Sequence, residues 1–90
     1  MSAVQLTGTM TAPEDRAEAV RAAMPEHIRL SREEPGCVFF ELRETDPGVF
    51  EVSELFLNRA AFDAHQARTR ASDWFRVTGD LPRDYDVADL

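Results

Sequence analysis

The segment Glu34-Pro-Gly-Cys37-Val-Phe-Phe-Glu41 limits what this chain can fold into more than any other part of it. Pro35 holds the residue before it out of the helical region, and Gly36 supplies a turn, so a helix ends here. The aromatic, β-branched run that follows from Cys37 to Arg43 has the composition of a strand. Downstream, Glu54-Leu-Phe-Leu-Asn58 closes another strand, and Phe62-Asp-Ala-His65 belongs to a second helix. Helix end, strand, strand and helix in that order leave very few folds. The order also brings Glu54 and His65 near each other across a strand-to-helix turn.

The rest of the chain completes the pattern. Val4 to Met10 alternates, with Val4, Leu6, Gly8 and Met10 on one side, which reads as a half-buried strand. Gly8 leaves a gap in that apolar face, either packing relief or room for a ligand. Thr11 is expected to cap the first helix, with Glu14 reaching back in a capping box. Ala17, Val20, Met24, Ile28 and Ser31 then recur at helical spacing and face the sheet. Pro25 is expected to interrupt and kink this helix, and His27 beside it reads as a helix-surface or sheet-edge residue. In the second strand Val38, Phe40 and Leu42 are expected on one face, Phe39 and Glu41 on the other. Asp46-Pro-Gly48 is a tight turn, leading into a third strand from Val49 to Leu57. Asn58 caps a helix from about Arg59 to Arg68. Ser72 to Phe75 reads as a short helical turn, and Arg83 to Val87 as a final strand.

The resulting order, β-α-β-β-α-β, is an α+β, ferredoxin-like arrangement: one four-stranded antiparallel sheet with both helices on a single face. Ninety residues are expected to form a single domain over 1–90. The second and third strands carry apolar residues on both faces, and such a sheet needs two covers. Helices supply one; a second copy of the chain, pairing through the sheet faces, is the simplest source of the other.

Composition removes several classes of function. The net charge is −7, there is no lysine, and the ten arginines are scattered among acids. No basic patch for nucleic acid or an anionic membrane is visible. No signal peptide or membrane-spanning run is apparent, so the expected location is the cytoplasm. Cys37 is the single cysteine and excludes an intrachain disulfide; it reads as a small buried hydrophobe. Two separated histidines and one cysteine make no metal site, and neither a phosphate loop nor a Ser-His-Asp pattern is present.

Arg32-Glu-Glu34-Pro-Gly-Cys37, the aromatic strand, Glu54-x-Phe56, Asn58 and Phe62-x-x-His65 together resemble the antibiotic biosynthesis monooxygenase domain, the small dimeric α/β-barrel family that includes quinol monooxygenases. The resemblance runs from about Val4 to Tyr85. It implies a homodimer and an oxygenase that uses no metal, flavin or haem, in which an electron-rich hydroquinone or polycyclic phenol is its own reductant for molecular oxygen. A haem-degrading branch shares the fold, and His65 matches the position of its haem ligand. That branch's other markers are unmatched: Phe56 stands where it has Trp, and Gln5, Thr7 and Thr9 stand where it has Asn.

On this reading His65, with an ordinary pKa near 6.5, is the base that deprotonates a phenol. Glu54, a carboxylate among Phe50, Val52 and Phe56, is its partner, fixing the tautomer. Trp74, Phe75, Phe56 and Phe39 are candidates for the wall of an aromatic pocket. Tyr85 and Arg83 can orient a substrate carbonyl or superoxide. Two other classes of function use the same fold: a non-catalytic dimeric module that binds an aromatic metabolite without consuming oxygen, and an oxygen-independent isomerase or cyclase on polyketide-like substrates.

Overall fold

A computed structural model describes residues 2–90. The elements are β1 (Val4–Thr11), α1 (Glu14–Arg32), β2 (Cys37–Asp46), β3 (Val49–Phe56), α2 (Arg59–Arg70), α3 (Asp73–Thr78) and β4 (Arg83–Asp89). The strands form one antiparallel sheet in the order β2-β3-β1-β4, and the helices lie on one of its faces. This is the ferredoxin-like order with a short third helix added before the last strand. Val4, Met10, Val20, Phe50 and Phe56 are almost wholly buried between sheet and helices. No helix among the described residues is long and apolar enough to cross a membrane.

Three local expectations are corrected. Thr11 does not cap α1: it is the last residue of β1, opposite Val49, and its amide donates to the Pro82 carbonyl at 3.1 Å. The N-cap is Pro13, without a side-chain cap, and its carbonyl accepts from the amides of Arg16 and Ala17. Strand pairing claims Thr11 before the helix can, so no capping box forms. Pro25 lies within α1 rather than interrupting it; it is exposed, on the side where water can reach the carbonyl that loses its donor. Finally, Val38 does not share the covered face with Phe40 and Leu42. Cys37 lies opposite Phe56 and Phe39 opposite Leu55, so Val38 is the extra residue of a bulge. The bulge leaves both Val38 and Phe39 about half exposed, at 54% and 48%, while Phe40 and Leu42 stay buried.

Antiparallel register puts opposed residues on one face. The uncovered face therefore carries Phe39, Leu55 and Val49 toward the β2–β3 side, and Gln5, Thr7 and Thr9 along β1. The covered face carries the row Phe40–Glu54–Leu6 and, next to it, Leu42–Val52–Gly8–Tyr85. These two rows are the floor of the site.

Candidate functional site

Above those rows lies a cavity of about 210 Å³. His27 of α1, His65 and Thr69 of α2, and Trp74 and Phe75 of α3 form its walls, and Arg70 and Arg83 also line it. Gly8 has a specific part in the floor. Its φ is +153°, and a Cβ there would lie 2.1 Å from the Asp84 carbonyl oxygen and 2.8 Å from a ring carbon of Tyr85. The gap that Gly8 leaves in β1 is thus filled by the tyrosine of β4, whose ring reaches the cavity over a backbone without a side chain.

His65 sits at the centre of a polar chain. Asn58 starts α2 by accepting the Ala61 amide at 2.9 Å, and the helix then buries Phe62 and His65. The Nδ1 of His65 lies 2.7 Å from Glu34 Oε1, and its Nε2 lies 3.5 Å from both Glu54 Oε1 and Thr69 Oγ1. Glu34 is clamped in turn by Arg68, whose Nε donates to Oε2 at 2.5 Å and whose Nη2 donates to Ser31 Oγ at 3.0 Å. A carboxylate accepts and does not donate. Glu34 therefore places the imidazole proton on Nδ1 and leaves a lone pair on Nε2, the nitrogen beside Glu54. Gly36 permits this geometry. A Cβ there would lie 2.2 Å from the Cβ of Ala61, so the α1–β2 connection touches α2 closely enough to bring Glu34 against the histidine.

Burial sets the protonation states. It lowers the pKa of His65 below the ordinary imidazole value even though Glu34 acts to raise it, so the ring is neutral at pH 7. Glu54 is pushed up to about 8, first by burial and then by the charge of Glu34, so it is largely protonated. His27 is driven down to about 3, mainly by burial, with smaller effects from His65, Arg68 and Arg83. Burial also raises the Tyr85 phenol. The histidines, the glutamate and the tyrosine of the cavity wall are therefore all uncharged at neutral pH. An aromatic stack completes the wall: the His27 ring lies on Trp74 with centroids 4.7 Å apart and planes within 3°.

His65, Glu54, Trp74 and Tyr85 thus line one cavity, with Arg83 and Phe75 beside them. Phe56 lies beneath, fully buried, its ring centroid 4.8 Å from that of His65. Phe39 lines no part of this cavity; it is half exposed on the opposite face of the sheet. His27, expected at the helix surface or sheet edge, is 5% exposed. Its position between Ala23 and Met24 on one side and Ile28 and Ser31 on the other puts it on the inward stripe of α1. Glu34 escaped sequence reasoning as a functional residue. The only signal was an acid held against a Pro-Gly turn, and nothing in the local pattern says that it meets a histidine 31 residues later.

The sequence profile of antibiotic biosynthesis monooxygenases matches residues 4–77. The chain belongs to that family. No curated protein matches it in sequence. Among solved structures, the chain is similar to a protein from Mycobacterium tuberculosis with 26% identity and a TM-score of 0.76, over 96% of this chain and 92% of that one. A candidate antibiotic biosynthesis monooxygenase from Nitrosomonas europaea has 22% identity and a TM-score of 0.83, over 98% and 89% of the two chains. A Shewanella oneidensis protein has 24% identity and a TM-score of 0.78, over 99% and 91%. At these identities the last two share the fold with this chain and carry no more than that.

Proposed function

We propose that the protein is a homodimeric, cofactor-independent monooxygenase that acts with molecular oxygen on a small hydroquinone-type phenol. The observation that carries this reading is the 2.7 Å contact of His65 Nδ1 with the Glu34 carboxylate, which leaves Nε2 to act as acceptor at the wall of an aromatic cavity. A phenolic hydroxyl placed there donates its proton to Nε2, and the resulting phenolate is electron-rich enough to reduce oxygen. The substrate supplies all four electrons: one oxygen atom enters the ring, the other leaves as water, and the hydroquinone becomes a hydroxyquinone. Glu54, held protonated, hydrogen-bonds the second substrate oxygen and returns a proton as water departs. Trp74 and Tyr85 bracket the ring. At about 210 Å³ the space is smaller than pockets for drug-sized ligands, which favours one or two rings over a polycyclic substrate. The half-exposed Phe39 and its neighbours on the uncovered sheet face support pairing through that face.

Oxygen uptake by chelator-treated protein against a panel of hydroquinones, corrected for autoxidation, tests the reading. Uptake is expected to be saturable and to be lost in His65→Ala. In Glu34→Gln the rate is expected to fall by about 10²-fold, the low end for a positioned base, with the pH profile displaced because the tautomer is no longer enforced. Uptake unchanged in a His65→Ala/Glu54→Gln double variant would remove both residues from the chemistry.

A further inference from the structure

The arginines are not placed evenly with respect to acids. Among the described residues every arginine is ion-paired with a carboxylate except Arg70 and Arg83. Both exceptions line the cavity. In a chain with seventeen acidic residues against ten arginines, a carboxylate is available almost everywhere on the surface, so two unneutralised guanidinia at one opening are a specific arrangement.

The two differ in how they are held. Arg83 is fixed by neutral acceptors only. Its Nη1 donates to the Thr78 carbonyl at 2.6 Å and to the Leu81 carbonyl at 3.1 Å, and its Nη2 donates to Thr78 Oγ1 at 2.9 Å. Those bonds set the position of the guanidinium without an ion pair; Asp80, the acid its charge reaches, is itself paired with Arg16. Its carbon lies 5.9 Å from the ring centroid of Phe75 and 6.0 Å from that of Tyr85. Arg70 is exposed at the end of α2. Since the histidines, Glu54 and Tyr85 of the wall are uncharged at neutral pH, these guanidinia are the charges that a ligand in the cavity meets. A molecule that is strongly negative as a whole thus presents a positive opening over an apolar, aromatic interior.

We propose that this opening is an anion subsite, and that the cavity takes an aromatic hydroxylated acid whose ring packs among Trp74, Phe75 and Tyr85 while its carboxylate meets Arg70 and Arg83. The proposal rests on the functional reading above for the hydroxylated ring, and on the arginines for the acid. A guanidinium-carboxylate contact fits both partners in geometry and charge. The small volume of the cavity leaves room for a ring and a small acid group.

The test compares 2,5-dihydroxybenzoate with its neutral analogue 2,5-dihydroxybenzamide by titration calorimetry under argon, where no turnover occurs. The acid is expected to bind about tenfold tighter or better, with the preference shrinking as salt is added. Arg70→Gln, which breaks no contact within the fold, is expected to remove most of the preference. Arg83→Gln is expected to do the same, but it also releases the Thr78–Leu81 turn, so Arg70→Gln decides. Arg29→Gln, on the outer surface of α1, is expected to leave the preference intact. Equal binding of acid and amide, binding of neither at millimolar concentration, or an undiminished preference in Arg70→Gln overturns the subsite. Oxygen uptake is read separately. Acid-selective binding without uptake upholds the subsite and removes the oxygenase; uptake with unsubstituted hydroquinone but no acid preference does the reverse.

Discussion

Replacing His27 by phenylalanine isolates one titration from the rest of the molecule. The imidazole is buried, stacked on Trp74, and met edge-on by Phe40 at 5.4 Å with planes 82° apart, and its Nδ1 has no hydrogen-bond partner. Its pKa falls to about 3 in the fold, chiefly through burial, against about 6.5 in an unfolded chain. Above pH 6.5 both states hold a neutral ring and the group has no effect on stability. Below it the unfolded chain takes up a proton that the folded chain refuses, so stability is lost as the pH falls from 6.5 toward 3. Between pH 7.5 and pH 4.5 the loss is about 2–3 kcal/mol. Phenylalanine keeps the stack and cannot titrate. The experiment is urea unfolding of both proteins at the two pH values and one fixed protein concentration. A constant packing difference between the side chains cancels, as do the acid-side effects of His65 and the opposite effect of Glu54, which both proteins share. His27→Phe is expected to be less acid-sensitive than wild type by about 2–3 kcal/mol. Equal sensitivity in the two proteins would mean that His27 accepts a proton while folded, and would refute the burial argument.

Gly8→Ala is expected to cost about 2 kcal/mol or more, because the new methyl group meets the Asp84 carbonyl and the Tyr85 ring; thermal or urea unfolding measures it, and unchanged stability would show that β1 and β4 separate easily. Phe39→Asp on the uncovered sheet face is expected to raise the dissociation constant of the proposed dimer at least about tenfold, read by sedimentation over a range of concentrations; an unaltered dimer would place the interface elsewhere, and a monomeric wild type would remove it.

The parts of the fold visible in the sequence were those that repeat. Alternation in β1 and β3, the three-four spacing of α1 and the Asp46-Pro-Gly48 turn gave the element order and the covered face. The losses came where one interaction displaced another. Val38 broke the alternation of β2 through a bulge that no period announces. Thr11 has the chemistry of a cap but was taken by strand pairing with Val49. For the site, the placement of Glu54 beside His65 followed from the short connection between β3 and α2. Glu34 did not, because its contact with His65 depends on how closely the α1–β2 turn approaches α2, a tertiary distance set by the missing side chain of Gly36. His27 was placed at the surface because the stripe Ala17, Val20, Met24, Ile28 and Ser31 passes over it, whereas the buried face of α1 includes it, and a neutral imidazole on a tryptophan fits an apolar interior.

Of the twelve residues of α2, only Phe62 and His65 are buried. Around these two, the helix is tied down by Ala61 packed on the core, by the ion pair of Arg59 with Asp89 of β4, and by the contacts of His65 and Arg68 with Glu34. Any fluctuation that lifts α2 to widen the cavity also parts His65 from the carboxylate that fixes its tautomer. On the proposed function, a widened form that admits a substrate has no oriented base until the helix settles back. On that same reading, proton abstraction is in this way confined to the closed geometry, without a separate lid.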